Sequence, residues 1–290
     1  MSVDAPEEKF VEVNGARLCY FERGTPNPDK PTLYFVHATG FHARVWDYHC
    51  ARLQGYHRIA LDQRGHGRSE DLAVDHWSTF SDDQAAFVTA LGLKNLIGIG
   101  HSMGGHGLVD AAAKTEAFAR LLLLDPTIAS PESYASLMPA SDGELHPAVR
   151  RRKVFQSIEQ MIEALAPKGS FPLFEPSIFR DYCQHGVEPC EEGVRLLCQP
   201  EIEARVYMAA RSNGAVLLSA RDLDIPVTIV RAQQAGELDL MDFSTSPTWP
   251  DLVGEFKQGQ EQHWHDCTHF IPMQRPDDVV ALIRDEISKW

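Results

Sequence analysis

The chain has 290 residues, 43% hydrophobic and 23% charged, a composition in which burial can offset the entropy lost on ordering and which excludes wholesale disorder. That length suits one α/β core of roughly 200 to 250 residues carrying an insertion. Lys and Arg number 27 against 41 Asp and Glu, a formal charge of −14. So acidic a surface repels nucleic-acid phosphates and anionic lipid headgroups, which leaves a neutral or weakly charged small molecule as the expected partner.

Residues 1–9 carry acids and a proline but no basic stretch leading into an apolar run, and no run in the chain reaches membrane-spanning length. The expectation is a soluble cytoplasmic protein. Six cysteines, Cys19, Cys50, Cys183, Cys190, Cys198 and Cys267, are too sparse and irregular for a disulfide framework.

Residues 10–13 and 17–23 flank Asn14-Gly15, which predicts an opening β-hairpin. Residues 32–37 form an apolar run bounded by Pro31 and Thr39-Gly40, as in a strand covered on both faces, and residues 56–62 read as another strand. The Leu- and Ile-rich runs 95–100 and 118–125 enclose the Gly- and Ala-rich helix 103–114, so these two strands should lie parallel.

From Pro126 to about Leu223 strand signals vanish, and helix-like pieces such as 157–165 and 194–219 are interrupted by proline and glycine. Strands over 225–232 and 260–265 follow. A closing helix over 276–290 spaces Val279, Val280, Leu282, Ile283 and Ile287 along one face. The predicted fold is α/β, a mostly parallel, doubly wound sheet built from residues 1–125 and 224–290, with a helical cap inserted over 126–223.

Gly100-His101-Ser102-Met103-Gly104 matches the G-x-S-x-G elbow and lies directly after a predicted strand and at the start of a predicted helix. The turn is so tight that side chains at the two glycines would collide, and the serine hydroxyl is held clear of the sheet. The helix starting at Met103 aims its amides and positive dipole end at the reacting centre, making the Met103 N–H a first oxyanion donor. Taken alone, the motif also fits a Gly-rich turn in a nucleotide-binding fold that happens to hold a serine.

With that elbow, Phe35-Val36-His37-Ala38-Thr39-Gly40-Phe41, Asp62-Gln63-Arg64-Gly65-His66-Gly67-Arg68-Ser69 and Thr268-His269-Phe270-Ile271-Pro272 occur in an order that resembles the α/β-hydrolase superfamily. The resemblance spans residues 10–290 apart from most of 126–223. It implies the α/β-hydrolase fold and a serine nucleophile, Ser102. It also implies a second oxyanion amide at Thr39, in a loop where Ala38 stands in place of the usual glycine. Segment 62–69 is expected to brace neighbouring loops, as are His37 and His101.

A serine hydroxyl needs an adjacent general base. His269 follows the last predicted strand and precedes the closing helix, in a loop like the family's histidine loop, whereas His263 and His265 read as ordinary strand residues. For the carboxylate that orients the base, the residue usually used by relatives aligns with Ala235. Some members take it instead from the end of the strand after the nucleophile helix. Here that position is Asp125, at the carboxyl edge of the sheet. Asp125 is therefore the first choice for the carboxylate; the bland reading is that it only caps the turn before Pro126, which leaves Glu237 and Asp239 as alternatives, with Asp242 further along.

Cys183, His185, Cys190 and Cys198 cluster in the cap but match no compact zinc spacing, so neither a metal nor a cofactor is expected. Phe155, Phe171, Phe174, Phe179 and Tyr182 could close over the serine. The expected function is hydrolysis of a small, rather apolar ester, thioester, lactone or amide. Carbon–carbon hydrolysis or acyl transfer on the same triad is an alternative, as is a ligand-binding protein with vestigial activity. A serine at the elbow argues against halide- or epoxide-opening chemistry.

Overall fold

The structure is a computed structural model that describes residues 5–72, 74–136, 146–234 and 243–290. Asn14 and Gly15 take φ angles of 48° and 71°, the left-handed pair that a two-residue hairpin requires. They join β1 (Glu7–Val13) to β2 (Ala16–Arg23). The chain then builds β3 (Thr32–Val36), α1 (Asp47–Arg52), β4 (His57–Leu61), α2 (Ser78–Ala90), β5 (Leu96–His101), α3 (Met103–Lys114) and β6 (Phe118–Leu124).

The insertion after β6 holds α4 (Pro131–Ala135), β7 (Val154–Phe155), α5 (Ile158–Leu165), α6 (Pro176–His185), β8 (Val187–Cys190), β9 (Gly193–Leu196), α7 (Pro200–Met208) and α8 (Val216–Asp222). Ser157 caps α5 by accepting from the Gln160 amide, and Glu175 caps α6 by accepting from Ser177 and Ile178. β10 (Val227–Arg231), β11 (Gly259–His263), α9 (Ile271–Gln274) and α10 (Pro276–Ser288) complete the core.

The main sheet runs β1-β2-β4-β3-β5-β6-β10-β11. Its pairs are parallel except β1–β2 and β2–β4. Side chains alternate across it. Leu33, Phe35, Leu122 and Leu124 pack toward α1 and α10, while Tyr34, Val36, Leu121 and Leu123 pack toward α2, α3 and α8. Covering both faces is what makes these strands read as continuous apolar runs. The carboxyl ends of β3, β5 and β6 therefore lie side by side, the arrangement at which ligands gather in such sheets.

Two expectations about the insertion need correction. It is not purely helical: β7, β9 and β8 form a small antiparallel sheet. Strands of two to four residues containing Pro189 and a hairpin at Glu191-Glu192 are too short to display an alternating pattern. The helix expected over 194–219 is instead β9, α7 and α8, with Asn213 and Gly214 breaking the last two apart. α8 packs on α3, where Ser219 Oγ donates to Asp110 at 2.6 Å. No helix among the described residues is long and apolar enough to cross a membrane.

Candidate active site

Ser102 sits between β5 and α3 at φ 56° and ψ −119°, the strained turn that lifts a nucleophile off the sheet. The flanking glycines are required by close approach. A Cβ on Gly100 would stand 2.7 Å from the Gly105 nitrogen, and one on Gly104 would run into the Val36 carbonyl. The Ser102 amide donates to the Leu124 carbonyl at 3.1 Å, tying the elbow to the end of β6.

Met103 opens α3, so its amide lies in the first turn, where N–H groups have no intrahelical acceptor. Thr39 Oγ1 donates to Met103 Sδ at 3.3 Å, which brings the loop after β3 against the elbow. The left-handed turn of that loop falls on Gly40, at φ 77°, so Ala38 carries no strain from replacing a glycine.

His269 Nε2 lies 2.9 Å from Ser102 Oγ, and its Nδ1 lies 2.7 Å from Asp125 Oδ2. A carboxylate can only accept, so Nδ1 carries the proton and Nε2 is free to accept from the serine. Asp125 is wholly buried at the end of β6, at φ 48°. Its Oδ1 accepts from the Ala232 amide at 2.9 Å and from Ser246 Oγ at 2.5 Å, while Thr248 Oγ1, which donates to the Pro126 carbonyl at 2.7 Å, stands 3.3 Å away. These donors offset the cost of burying the charge. Glu237, Asp239 and Asp242 lie outside the described residues.

His101 and His37, the two histidines expected to brace loops, are both buried. His101 Nε2 donates to the His269 carbonyl at 2.8 Å, fixing the loop that carries His269. His37 Nε2 accepts from the Gln63 amide at 3.0 Å, which places its proton on Nδ1, bonded to the Ala38 carbonyl at 2.8 Å. Burial holds both rings well below the usual histidine range, so both are neutral braces. Asp62 accepts from the Ala43 amide at 2.6 Å and the Arg68 amide at 2.8 Å, joining segment 62–69 to the loop after β3. Burial still pushes its carboxyl up to about 6.

Some polar partners had no signal in the sequence. Thr127 Oγ1 lies 3.0 Å from Ser102 Oγ, and its carbonyl accepts from His106 Nδ1 at 3.0 Å. Because the Ser102 hydroxyl donates to His269, Thr127 is the donor in this pair. The only trace of it was a hydroxyl residue two positions after the candidate acid. Ser246 and Thr248 belong to a hydroxyl-rich run after β10 that nothing in the pattern linked to Asp125.

A cavity of about 560 Å³ lies under the cap, walled by Phe41, Phe171, Phe174, Tyr182, Phe243 and Phe270. Thr39 and Thr268, the neighbour of His269, connect it to the relay. Phe155 and Phe179 instead pack in the core. Among the described residues no group of His, Cys, Asp and Glu is arranged to hold a metal ion.

Comparison with known proteins agrees with this architecture. A 2-(acetamidomethylene)succinate hydrolase of Mesorhizobium japonicum is 26% identical over 99% of each chain. Lipase LipV of Mycobacterium tuberculosis is 27% identical, with 87% of this chain and 92% of the lipase aligned. The solved peroxisomal alpha-beta-hydrolase Lpx1 of Saccharomyces cerevisiae superposes with a TM-score of 0.77 at 14% identity, covering 100% of this chain and 90% of that one, a likeness of fold. The model of the alpha/beta hydrolase family matches residues 33–282, and the chain belongs to that family.

Proposed function

We propose that the protein is a serine hydrolase that cleaves a small, apolar ester through an acyl-enzyme. The reading rests on the Ser102–His269–Asp125 relay, with its 2.9 Å and 2.7 Å bonds. Ser102 Oγ attacks the carbonyl carbon while its proton passes to His269 Nε2, and the imidazolium so formed is stabilised by Asp125. Negative charge on the tetrahedral oxygen falls to the amides of Met103 and Thr39. His269 then protonates the departing alcohol. Water, deprotonated by the same nitrogen, releases the acid and restores Ser102.

The aromatic cavity favours an apolar acyl group, and the likeness to a lipase over 87% of this chain is in keeping with an ester. Amide cleavage by the same relay is the second reading, favoured by the relative whose name carries an acetamide.

Treatment with a fluorophosphonate, peptide mapping and an assay on short and long p-nitrophenyl esters test the proposal. Phosphonylation of Ser102, loss of labelling in Ser102→Ala and repeated turnover are expected. Folded protein that neither labels nor turns over any ester would overturn it in favour of a binding role.

A further inference from the structure

Among the described residues, the aromatic wall of the cavity is broken by one charged unit. Arg151 donates through Nη1 to the Glu203 carboxylate and through Nη2 to Tyr182 Oη at 2.7 Å. The Glu203 side chain is only 6% exposed and stands against the oxyanion loop, where a Cβ on Gly40 would lie 2.6 Å from its Oε1. Among the described residues that line the cavity, Arg151 and Glu203 are the charged ones, and their charges cancel.

An unpaired arginine in an aromatic pocket is a trap for carboxylates, through bidentate, charge-assisted hydrogen bonds. Pairing it with a buried glutamate removes the net positive charge and leaves N–H donors that suit an uncharged oxygen. A carboxylate entering the same space sheds its hydration and meets the fixed negative charge of Glu203. The formal charge of −14 adds long-range repulsion to the same effect. Cap stability alone does not call for this pair, since a buried ion pair seldom stabilises a fold more than apolar residues of the same volume.

We infer that the Arg151–Glu203 pair is a specificity device that admits uncharged acyl groups to the cavity and rejects those ending in a carboxylate. The inference rests on the hydrolase reading and adds the substrate class: neutral esters whose acyl chain can carry a further oxygen acceptor for Arg151 or Tyr182.

Dimethyl adipate and monomethyl adipate test it, because they share a methyl ester and a chain and differ by one carboxylate. Wild-type kcat/KM is expected to favour the diester by at least about thirtyfold, so that hydrolysis halts at the half-ester. In Glu203→Gln the ratio should shrink by at least about tenfold, through a lower KM for the half-ester, whereas a merely structural role would alter both substrates alike. A wild-type ratio near one, or a preference for the half-ester, overturns the inference whether or not the variant folds.

Calorimetric titration of Ser102→Ala with the same two compounds reads the preference without chemistry. Tighter binding of the diester alongside an inactive wild type would overturn the hydrolase reading and keep this one. Equal binding of the two would overturn this one alone.

Discussion

Asp125 and His269, 144 positions apart in the chain, meet through a 2.7 Å hydrogen bond from Nδ1 to Oδ2. The far oxygen of the same carboxylate is held by the Ala232 amide and the Ser246 hydroxyl. Both oxygens are thus committed, and the imidazole can satisfy Asp125 in only one tautomer. Asp125→Asn would place an amide where the acceptor is needed and favour the wrong tautomer. The expected loss is about 10⁴-fold in kcat with the fold retained, checked by steady-state kinetics beside circular dichroism. A loss below about tenfold would remove Asp125 from the relay.

Thr127 donates to Ser102 Oγ, the proposed nucleophile. Thr127→Val keeps the shape and deletes that donor, and is expected to lower kcat by about five- to tenfold, the worth of one ordinary hydrogen bond. Thr127→Ser should restore the rate. A rate in Thr127→Val equal to that of the wild type would show that the hydroxyl contributes nothing at this position.

His101 holds the backbone of His269, the proposed base, through its carbonyl. His101→Ala frees that loop and is expected to cost about 10² in kcat, the scale of a misplacement of about one ångström. His101→Gln retains a donor and should recover most of the loss. Equal rates for the two variants would show that the bond does not position the base.

Stability should fall in mild acid. Burial lowers His42 and His49 to about 3, and His66, His106 and His185 to about 4, from the ordinary 6.5. Below pH 6.5 the unfolded chain takes up protons that these folded residues refuse. Their stabilisation is complete above that value and is lost as pH drops toward 4. Asp62 and Asp181, raised by burial to about 6, act in the opposite direction, since their contribution is lost as pH rises through 6. Histidines outnumber them, so the urea midpoint should decline steadily from pH 7 to pH 4.5. A flat profile would contradict the burial of these rings.

What the sequence revealed depended on the range of the interaction. The elbow at Ser102, the strand ending at Asp125 and the closing helix after His269 are signalled by neighbours within a few residues, and those signals located them. Contacts to Asp125 from Ser246 and Thr248 cross more than a hundred positions and leave no local periodicity. The Arg151–Glu203 pair links a loop residue of the cap to α7 across 52 positions in the same way, and the cap strands β7, β8 and β9 draw their hydrogen bonds from one another rather than from an alternating pattern.

Attack by Ser102 is most directly tested by trapping the intermediate. Wild-type protein mixed with p-nitrophenyl acetate, quenched in acid within the first turnover and digested, should yield one acetylated peptide, modified at Ser102. It should be absent from Ser102→Ala and should disappear as substrate is exhausted. Turnover that leaves Ser102 unmodified, or acetylation that settles on another residue, would contradict the acyl-enzyme mechanism.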